Sequence, residues 1–204
     1  MVPNLKHAID YYSDRFRRFL LRFQEDEKDW ERLRRDKKAA KVELEKAAKM
    51  LFDHCHTLLT YEKKWEKYPT VKAALAVKDS AIKGKGVSIK DLKGVFDSRL
   101  RAYVIAKTKH REAMNKMNTW VSQWPAFVRE LTEDAHKVRS TEDRKEWQAV
   151  VKKCGELEHE FDDFLAAVPK GAKSKAPDEK EIEAKYMNQK FGRMDMIIID
   201  TDPF

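Results

Sequence analysis

Residues 5–68 read LKHAIDYYSDRFRRFLLRFQEDEKDWERLRRDKKAAKVELEKAAKMLFDHCHTLLTYEKKWEKY. Alternating steps of four and three residues through this stretch meet apolar side chains everywhere except at Asp26, Lys37 and His54, and neither Pro nor Gly interrupts it. Such a repeat predicts one continuous helix with a narrow apolar seam that supercoils with partner helices. Its length would be about 95 Å. We therefore expect an elongated protein, and elongated helical proteins are usually scaffolds rather than enzymes.

Two further long helices follow the same pattern. A capping signal at Ser88 opens the second, whose apolar stride runs from Phe96 to Val138 and keeps its register through Pro125. We interpret Pro125 as a kink within one helix. The third helix begins after Ser140 and ends near Pro169. The predicted fold is all-α: an elongated antiparallel three-helix coiled-coil bundle over residues 1–168.

The segments between and after these helices are shorter. Pro69 ends the first helix, and a short helix carrying Val71 and Ile82 precedes a basic turn at residues 83–86. Residues 169–180 have the composition of a linker. In the final segment, 181–204, a short polar helix over 181–190 precedes an Ile-rich tail. This tail would add as a strand to a partner or fold back on the helices.

The bulk composition favours acidic partners. Charged residues make up 38% of the 204 residues, and the net charge is +8 with a pI near 9.3. This charge is suited to binding nucleic acid, an anionic membrane surface or an acidic protein. It would equally be explained if the charges only keep the protein soluble.

The cysteines and the apolar runs indicate a cytoplasmic protein. Cys55 and Cys154 lie on or beside apolar seams, which favours buried free thiols over a disulfide and a reducing compartment over secretion. The N-terminal residues lack the apolar run of a signal peptide, and no apolar run is long enough to span a bilayer.

The start of the second helix carries a family resemblance. Residues 92–103, LKGVFDSRLRAY, resemble the corresponding helix in the BAR domains of sorting nexins, which carries a Lys-Gly-Val-Phe-Asp-x-Arg run. The Glu146-Trp147 pair and the acidic and aromatic residues at 158–162 are similar to the family's third helix. The resemblance implies a homo- or heterodimer of bent coiled coils that senses or shapes curved anionic membrane at the cytoplasmic side.

Two groups of residues are candidate binding sites. Basic residues along and before the second helix are candidates for contact with acidic lipid headgroups, although a solvated helix face would look the same. These are Lys83, Lys85, Lys90, Lys93, Lys107, Lys109, Arg111 and Lys116. The tail is a candidate for partner binding, and its final Asp-Pro-Phe is similar to peptides that clathrin-adaptor appendages bind. Its residues are Ile197, Ile198, Ile199, Asp202, Pro203 and Phe204.

Catalytic, metal and cofactor chemistry finds little support. His54, Cys55 and His56 are adjacent on a helix and point about 100° apart, so they cannot chelate one ion together. No nucleotide loop, zinc spacing or Ser-His-Asp set is evident, so we expect no cofactor and no enzyme. Most tryptophans lie on seams and would be core residues, with Trp120 as the exception.

Polar residues on the seams leave two interpretations open. Asp26, Lys37, Lys107 and His110 either fix register and partner choice or lie where the seam is exposed.

The leading hypothesis is a non-catalytic, BAR-like scaffold that dimerises through its seams and binds anionic membrane. The alternatives are a basic helical protein that binds nucleic acid through phosphate contacts and a structural coiled-coil subunit whose tail docks on a larger assembly.

Overall fold

The computed structural model describes residues 5–61, 67–76, 88–135, 141–167 and 176–191. These residues form five helices: α1 (Leu5–Tyr61), α2 (Val71–Leu75), α3 (Ile89–Ala135), α4 (Thr141–Ala167) and α5 (Glu179–Met187). The all-α prediction is confirmed for this part of the chain. An isolated antiparallel bridge joins Thr70 to Lys190.

The first helix ends earlier than predicted. It runs to Tyr61, and residues 67–69 are not helical, so the predicted extension to Tyr68 is wrong. Proline disfavours helical conformation in the residue before it, which explains why Tyr68, just ahead of Pro69, is not helical. Thr70 then caps α2, its hydroxyl oxygen accepting a 3.1 Å hydrogen bond from the backbone N–H of Ala73.

Two local predictions for the second helix are confirmed. The Ser88 hydroxyl oxygen accepts a 3.1 Å hydrogen bond from the backbone N–H of Asp91, which caps α3 at its start. The helix then continues through Pro125 without a break to Ala135. The helix is therefore continuous where the seven-residue pattern continues on both sides of Pro125, although proline has no backbone N–H to donate.

The chain divides into two compact units, and both long helices contribute to each of them. The first unit contains α1 up to Arg32, α3 from Arg111 onward, and α4. The second contains the remainder of α1 and α3 together with α2 and α5. The predicted boundary at residue 168 and the linker over 169–180 stay predictions, since the described residues resume only at 176.

Aromatic side chains fill the core of the first unit. Phe19 of α1 lies 5.2 Å from Trp124 of α3 and 5.9 Å from Phe161 of α4, measured between ring centroids. Along α1, Tyr12 pairs with Asp134 and Asp26 pairs with Trp120, so α1 and α3 run in opposite directions here. Each aromatic pair adds about 0.5–1.5 kcal/mol beyond the burial of its area.

The core of the second unit brings together four helices. Leu44, Leu51 and Leu59 of α1 are fully buried, as is Phe96 of α3. The buried residues of α5 join the same cluster; these are Ile182, Tyr186 and Met187. A helix over 181–190 was predicted, and one is present at Glu179–Met187, but its contribution to this core was not foreseen.

The buried face of α1 drifts along the helix. Through Phe23 and Trp30 it follows the predicted seam, but farther on Ala48, Cys55 and Leu59 are buried, one residue beyond the predicted positions. An α-helix has 3.6 residues per turn, so a straight helix drifts about 20° per heptad against a 3.5-residue repeat. The seven-residue seam therefore holds in the second unit at Leu44, Ala47 and Leu51, and the buried face has moved off it at Cys55 and Leu59, toward the end of α1.

Candidate anion-binding surface

The predicted basic cluster on α3 does not form one surface. Lys107 and Arg111 are one helical turn apart and half-buried, whereas Lys109 and Lys116 are exposed. At 100° per residue, Lys109 and Lys116 lie on the opposite side of α3 from Lys107 and Arg111. Both Lys107 and Arg111 already have interactions within the chain. The cluster therefore separates into two pairs with different surroundings.

Lys93, another predicted contact for lipid, is held by carboxylates within the second unit. Its ammonium donates to Asp97 and, at 2.9 Å, to Glu183 of α5, and its side chain is only 23% exposed. Burial opposes the charge, but these two hydrogen bonds raise the pKa of Lys93 above its usual value. Lys93 thus ties α3 to α5, while Lys90, at the start of α3, is exposed.

The other predicted site residues lie outside the described part of the chain. They are Lys83, Lys85, Ile197, Ile198, Ile199, Asp202, Pro203 and Phe204.

The outer face of α1 in the second unit presents a basic surface that the predicted site did not include. Its residues recur at intervals of three or four and are all exposed, so they lie on one side of the helix. This surface, here called the basic face of α1, consists of Arg35, Lys38, Val42, Lys46, Lys49 and Met50. The four cations extend over about 21 Å of helix.

Three of these cations are available to a partner. Lys46 donates a 2.8 Å hydrogen bond to Glu43, and this contact lowers the pKa of the Glu43 carboxyl. Arg35, Lys38 and Lys49 make no ion pair with any other described residue. The run at residues 32–38 is visible in the sequence as a dense basic stretch, and stepping by helical spacing would have identified the whole face.

Two apolar side chains lie among these cations. Val42 is 47% exposed and Met50 is 56% exposed, on the same side of α1 as the lysines. Helices at a lipid interface use cations to contact anionic headgroups and apolar side chains to enter the acyl boundary, and this side of α1 offers both kinds of group. Neither residue contributes to the core of the second unit.

The net positive charge of the chain resides in the second unit. Over the residues assigned to it, 25 Lys and Arg face 16 Asp and Glu, whereas the first unit has 18 against 19. The second unit would therefore attract anions from a distance. The first unit, with nearly balanced charges, would exert little long-range attraction on them.

The polar residues on the predicted seams are mostly enclosed. Lys37 is 8% exposed and His110 is 5% exposed, and both have interactions within the chain. Asp26 is half-buried and accepts a 2.7 Å hydrogen bond from the indole N–H of Trp120. For these three residues the interpretation that the seam is simply exposed is wrong.

Both cysteines are free and buried, as predicted. Burial raises the pKa of the Cys55 thiol to about 12, and burial with the nearby Glu158 carboxylate raises that of Cys154 to about 12. Within the described ranges, no group of three or more His, Cys, Asp or Glu side chains has the arrangement of a metal site.

Comparison of the chain with protein-family models, with curated proteins and with solved structures found no match in any of the three. Among the helices formed by the described residues, none combines the length and apolar character needed to cross a membrane.

Proposed function

We propose that this protein is a non-catalytic, BAR-like helical scaffold that binds anionic membrane surface through the basic face of α1. The observation that carries the proposal is the exposed alignment of four cations with Val42 and Met50 on one side of a long helix. Cations and apolar side chains on one face suit a lipid interface better than a duplex, which offers phosphates but no apolar layer.

The expected strength follows from the groups on this face. Each Lys or Arg near an anionic leaflet contributes about 1 kcal/mol, so the three cations outside the Lys46–Glu43 pair give roughly 3 kcal/mol. Burial of the exposed parts of Val42 and Met50 adds about 1–3 kcal/mol. Together these terms, about 4–6 kcal/mol, correspond to an affinity in the range of about 40–1000 μM per protomer, so two protomers on one surface would bind much more tightly than one.

The BAR-like architecture is supported by the resemblance at residues 92–103 and by two helices of 57 and 47 residues. Dimerisation belongs to this proposal, as does a cytoplasmic location beside membranes. Because the cations are fixed in place along a helix, they would bind best to a membrane surface whose shape brings its headgroups to all of them.

Co-sedimentation with anionic and neutral vesicles tests the proposal. The wild type should bind anionic vesicles at about 0.15 M ionic strength, less at higher salt, and should not bind neutral ones. Reversal of three charges, Arg35→Glu with Lys38→Glu and Lys49→Glu, should weaken binding about 100-fold or more. A matched reversal in the first unit serves as the control: Arg129→Glu with Lys145→Glu and Lys152→Glu, all at exposed positions.

The apolar contribution is tested separately. Val42→Ser with Met50→Ser should weaken vesicle binding about tenfold without changing its salt dependence. The exposed pair Leu21→Ser and Val151→Ser in the first unit is the control. Equal binding of neutral and anionic vesicles, or equal losses from both charge reversals, would contradict the proposal. Retention of duplex DNA in place of vesicles would favour nucleic acid, and binding of neither would favour a structural subunit.

A further inference from the structure

A groove between α1 and α3 in the first unit has a chemistry of its own. It has a volume of about 500 Å³, within the range of ligand pockets in proteins. Its lining contains three guanidinium groups and three aromatic rings but no carboxylate; the residues are Arg15, Arg18, Phe19, Arg22, Trp120, Gln123, Ala126 and Phe127. Every charged side chain in the lining is therefore cationic.

The three arginines form a ridge along one wall. Arg15 is 2.5 Å from Glu130, and Arg18 is 2.5 Å from Asp14. Arg22, one turn farther along, makes no ion pair with any other described residue. Its guanidinium can donate two parallel hydrogen bonds to a carboxylate without breaking an existing ion pair.

The aromatic wall is held in place. Phe19 and Trp120 meet edge to face with centroids 5.0 Å apart, and both are half-buried, so part of each ring is accessible. The hydrogen bond from Trp120 to Asp26 fixes the orientation of the indole. A pre-arranged apolar wall beside cations lowers the ordering cost for a ligand with an apolar group and a negative charge.

One segment of this chain has the complementary chemistry. Residues 194–204, MDMIIIDTDPF, contain three Asp and no Lys or Arg, together with three Ile and one Phe. Arg18 and Arg22 are four residues apart, which is about 6 Å along a helix axis. Asp200 and Asp202 of an extended segment would be about 6.7 Å apart and on the same side. The axial spacing of these two aspartates would therefore be close to that of the two arginines.

We propose that this groove binds the acidic, Ile-rich segment 194–204 of a second copy of the chain. Asp202 pairs with Arg22, and the apolar side chains contact Phe19 and Trp120. The contact would join protomers through a charged and aromatic site that is distinct from the basic face of α1, so its success or failure does not depend on membrane binding.

Disulfide trapping between two full-length variants tests the contact. Chains with Gln123→Cys, inside the groove, are mixed with chains carrying Thr201→Cys under mild oxidation, so that every heterodimer is intermolecular. The native cysteines are buried and should remain unreacted. The control is Ser122→Cys, the neighbouring exposed residue outside the groove lining. Trapping at position 123 should exceed trapping at 122 about tenfold, since a disulfide requires Cα atoms within about 7 Å.

Charge changes identify the partners. Arg22→Glu should reduce trapping about three- to tenfold, and Asp202→Arg combined with it should restore most of the loss. The control is Arg17→Glu, an exposed arginine on the same helix that lines a different groove. Equal trapping at positions 122 and 123, or equal losses from Arg17→Glu and Arg22→Glu, would overturn the proposal. A chain that carries both introduced cysteines provides a further check. If its disulfide forms only within one molecule, giving a cross-linked monomer and no dimer, the proposal is also overturned.

Discussion

The indole N–H of Trp120 donates a 2.7 Å hydrogen bond to the carboxylate of Asp26, 94 residues away in the sequence. Asp26 occupies a position that the seven-residue repeat reserves for an apolar residue, and Trp120 is the tryptophan that does not follow its own helix's seam. The pair joins α1 to α3 within the first unit. The polar residue at this seam position therefore contacts the facing helix instead of lying in solvent.

Asp26→Ala should therefore lower the free energy of unfolding by about 1–2 kcal/mol, because the bond involves a charged acceptor in a half-buried setting. Urea denaturation measures this change, and a double-mutant cycle with Trp120→Phe should assign about 1 kcal/mol to the pair itself. Asp29→Ala, which breaks only the exposed pair with Arg32, should cost less than about 0.5 kcal/mol. Equal costs for Asp26→Ala and Asp29→Ala would show that the bond has no special role.

The drift of the buried face along α1 gives a second prediction. Leu59 is fully buried and Leu58 only half-buried, although the strict repeat selects Leu58. Leu59→Ala should cost about 2–5 kcal/mol in the second unit, and Leu58→Ala less than about 1.5 kcal/mol. The comparison can be made by urea denaturation of the two variants. A larger loss for Leu58→Ala would mean that the seven-residue seam extends through the second unit after all.

The sequence predicted the long helices well because their signals are local. Periodicity located α1, α3 and α4, the Ser88 cap marked the start of α3, and an unbroken register across Pro125 indicated one helix. Each of these features depends on side chains a few residues apart, and such patterns can be read without knowing what lies across the core.

The sequence could not predict the contacts that depend on distant partners. Lys93 was interpreted as a lipid contact, but Glu183, 90 residues away, holds it. Lys107 and Lys109 were grouped because they are close in the sequence, although helical rotation separates them. The basic face of α1 was missed for the converse reason, since its members are spread over residues 35–50 and meet only once the helix is formed.

Helix α5 contributes to stability more than its polar sequence indicates. Tyr186 is 6% exposed and contacts Phe96 at 5.8 Å between ring centroids. Tyr186→Ala should lower the stability of the second unit by about 3–5 kcal/mol and increase amide exchange in α5 and in the first turns of α3. The exposed neighbour Lys180 supplies a control, and Lys180→Ala should leave both measurements nearly unchanged. Unaltered exchange in α3 after loss of Tyr186 would contradict the assigned packing.

The buried thiols predict a loss of stability at alkaline pH. Cys55 has a folded-state pKa of about 12 against about 9 when exposed. The contribution of this buried thiol to the free energy of unfolding is complete below pH 9. It is lost between pH 9 and 12, because in that range the thiol gives up its proton in the unfolded state but not in the folded state. Over this range the free energy of unfolding falls by about 1.4 kcal/mol per pH unit for each thiol. Denaturation series at pH 8 and 10 should show this fall, and Cys55→Val should reduce it; an unchanged pH slope in that variant would contradict the assignment.

An environment-sensitive fluorophore attached at Met50→Cys, followed by addition of anionic vesicles, tests directly whether the basic face of α1 binds membrane. The native cysteines are buried, so labelling should be confined to the introduced thiol. We expect a blue shift and protection from aqueous quenchers at position 50, with no change for the same label at Tyr11→Cys, an equally exposed position in the first unit. An unchanged spectrum at position 50, or equal changes at both positions, would contradict the claim that the basic face of α1 binds the membrane.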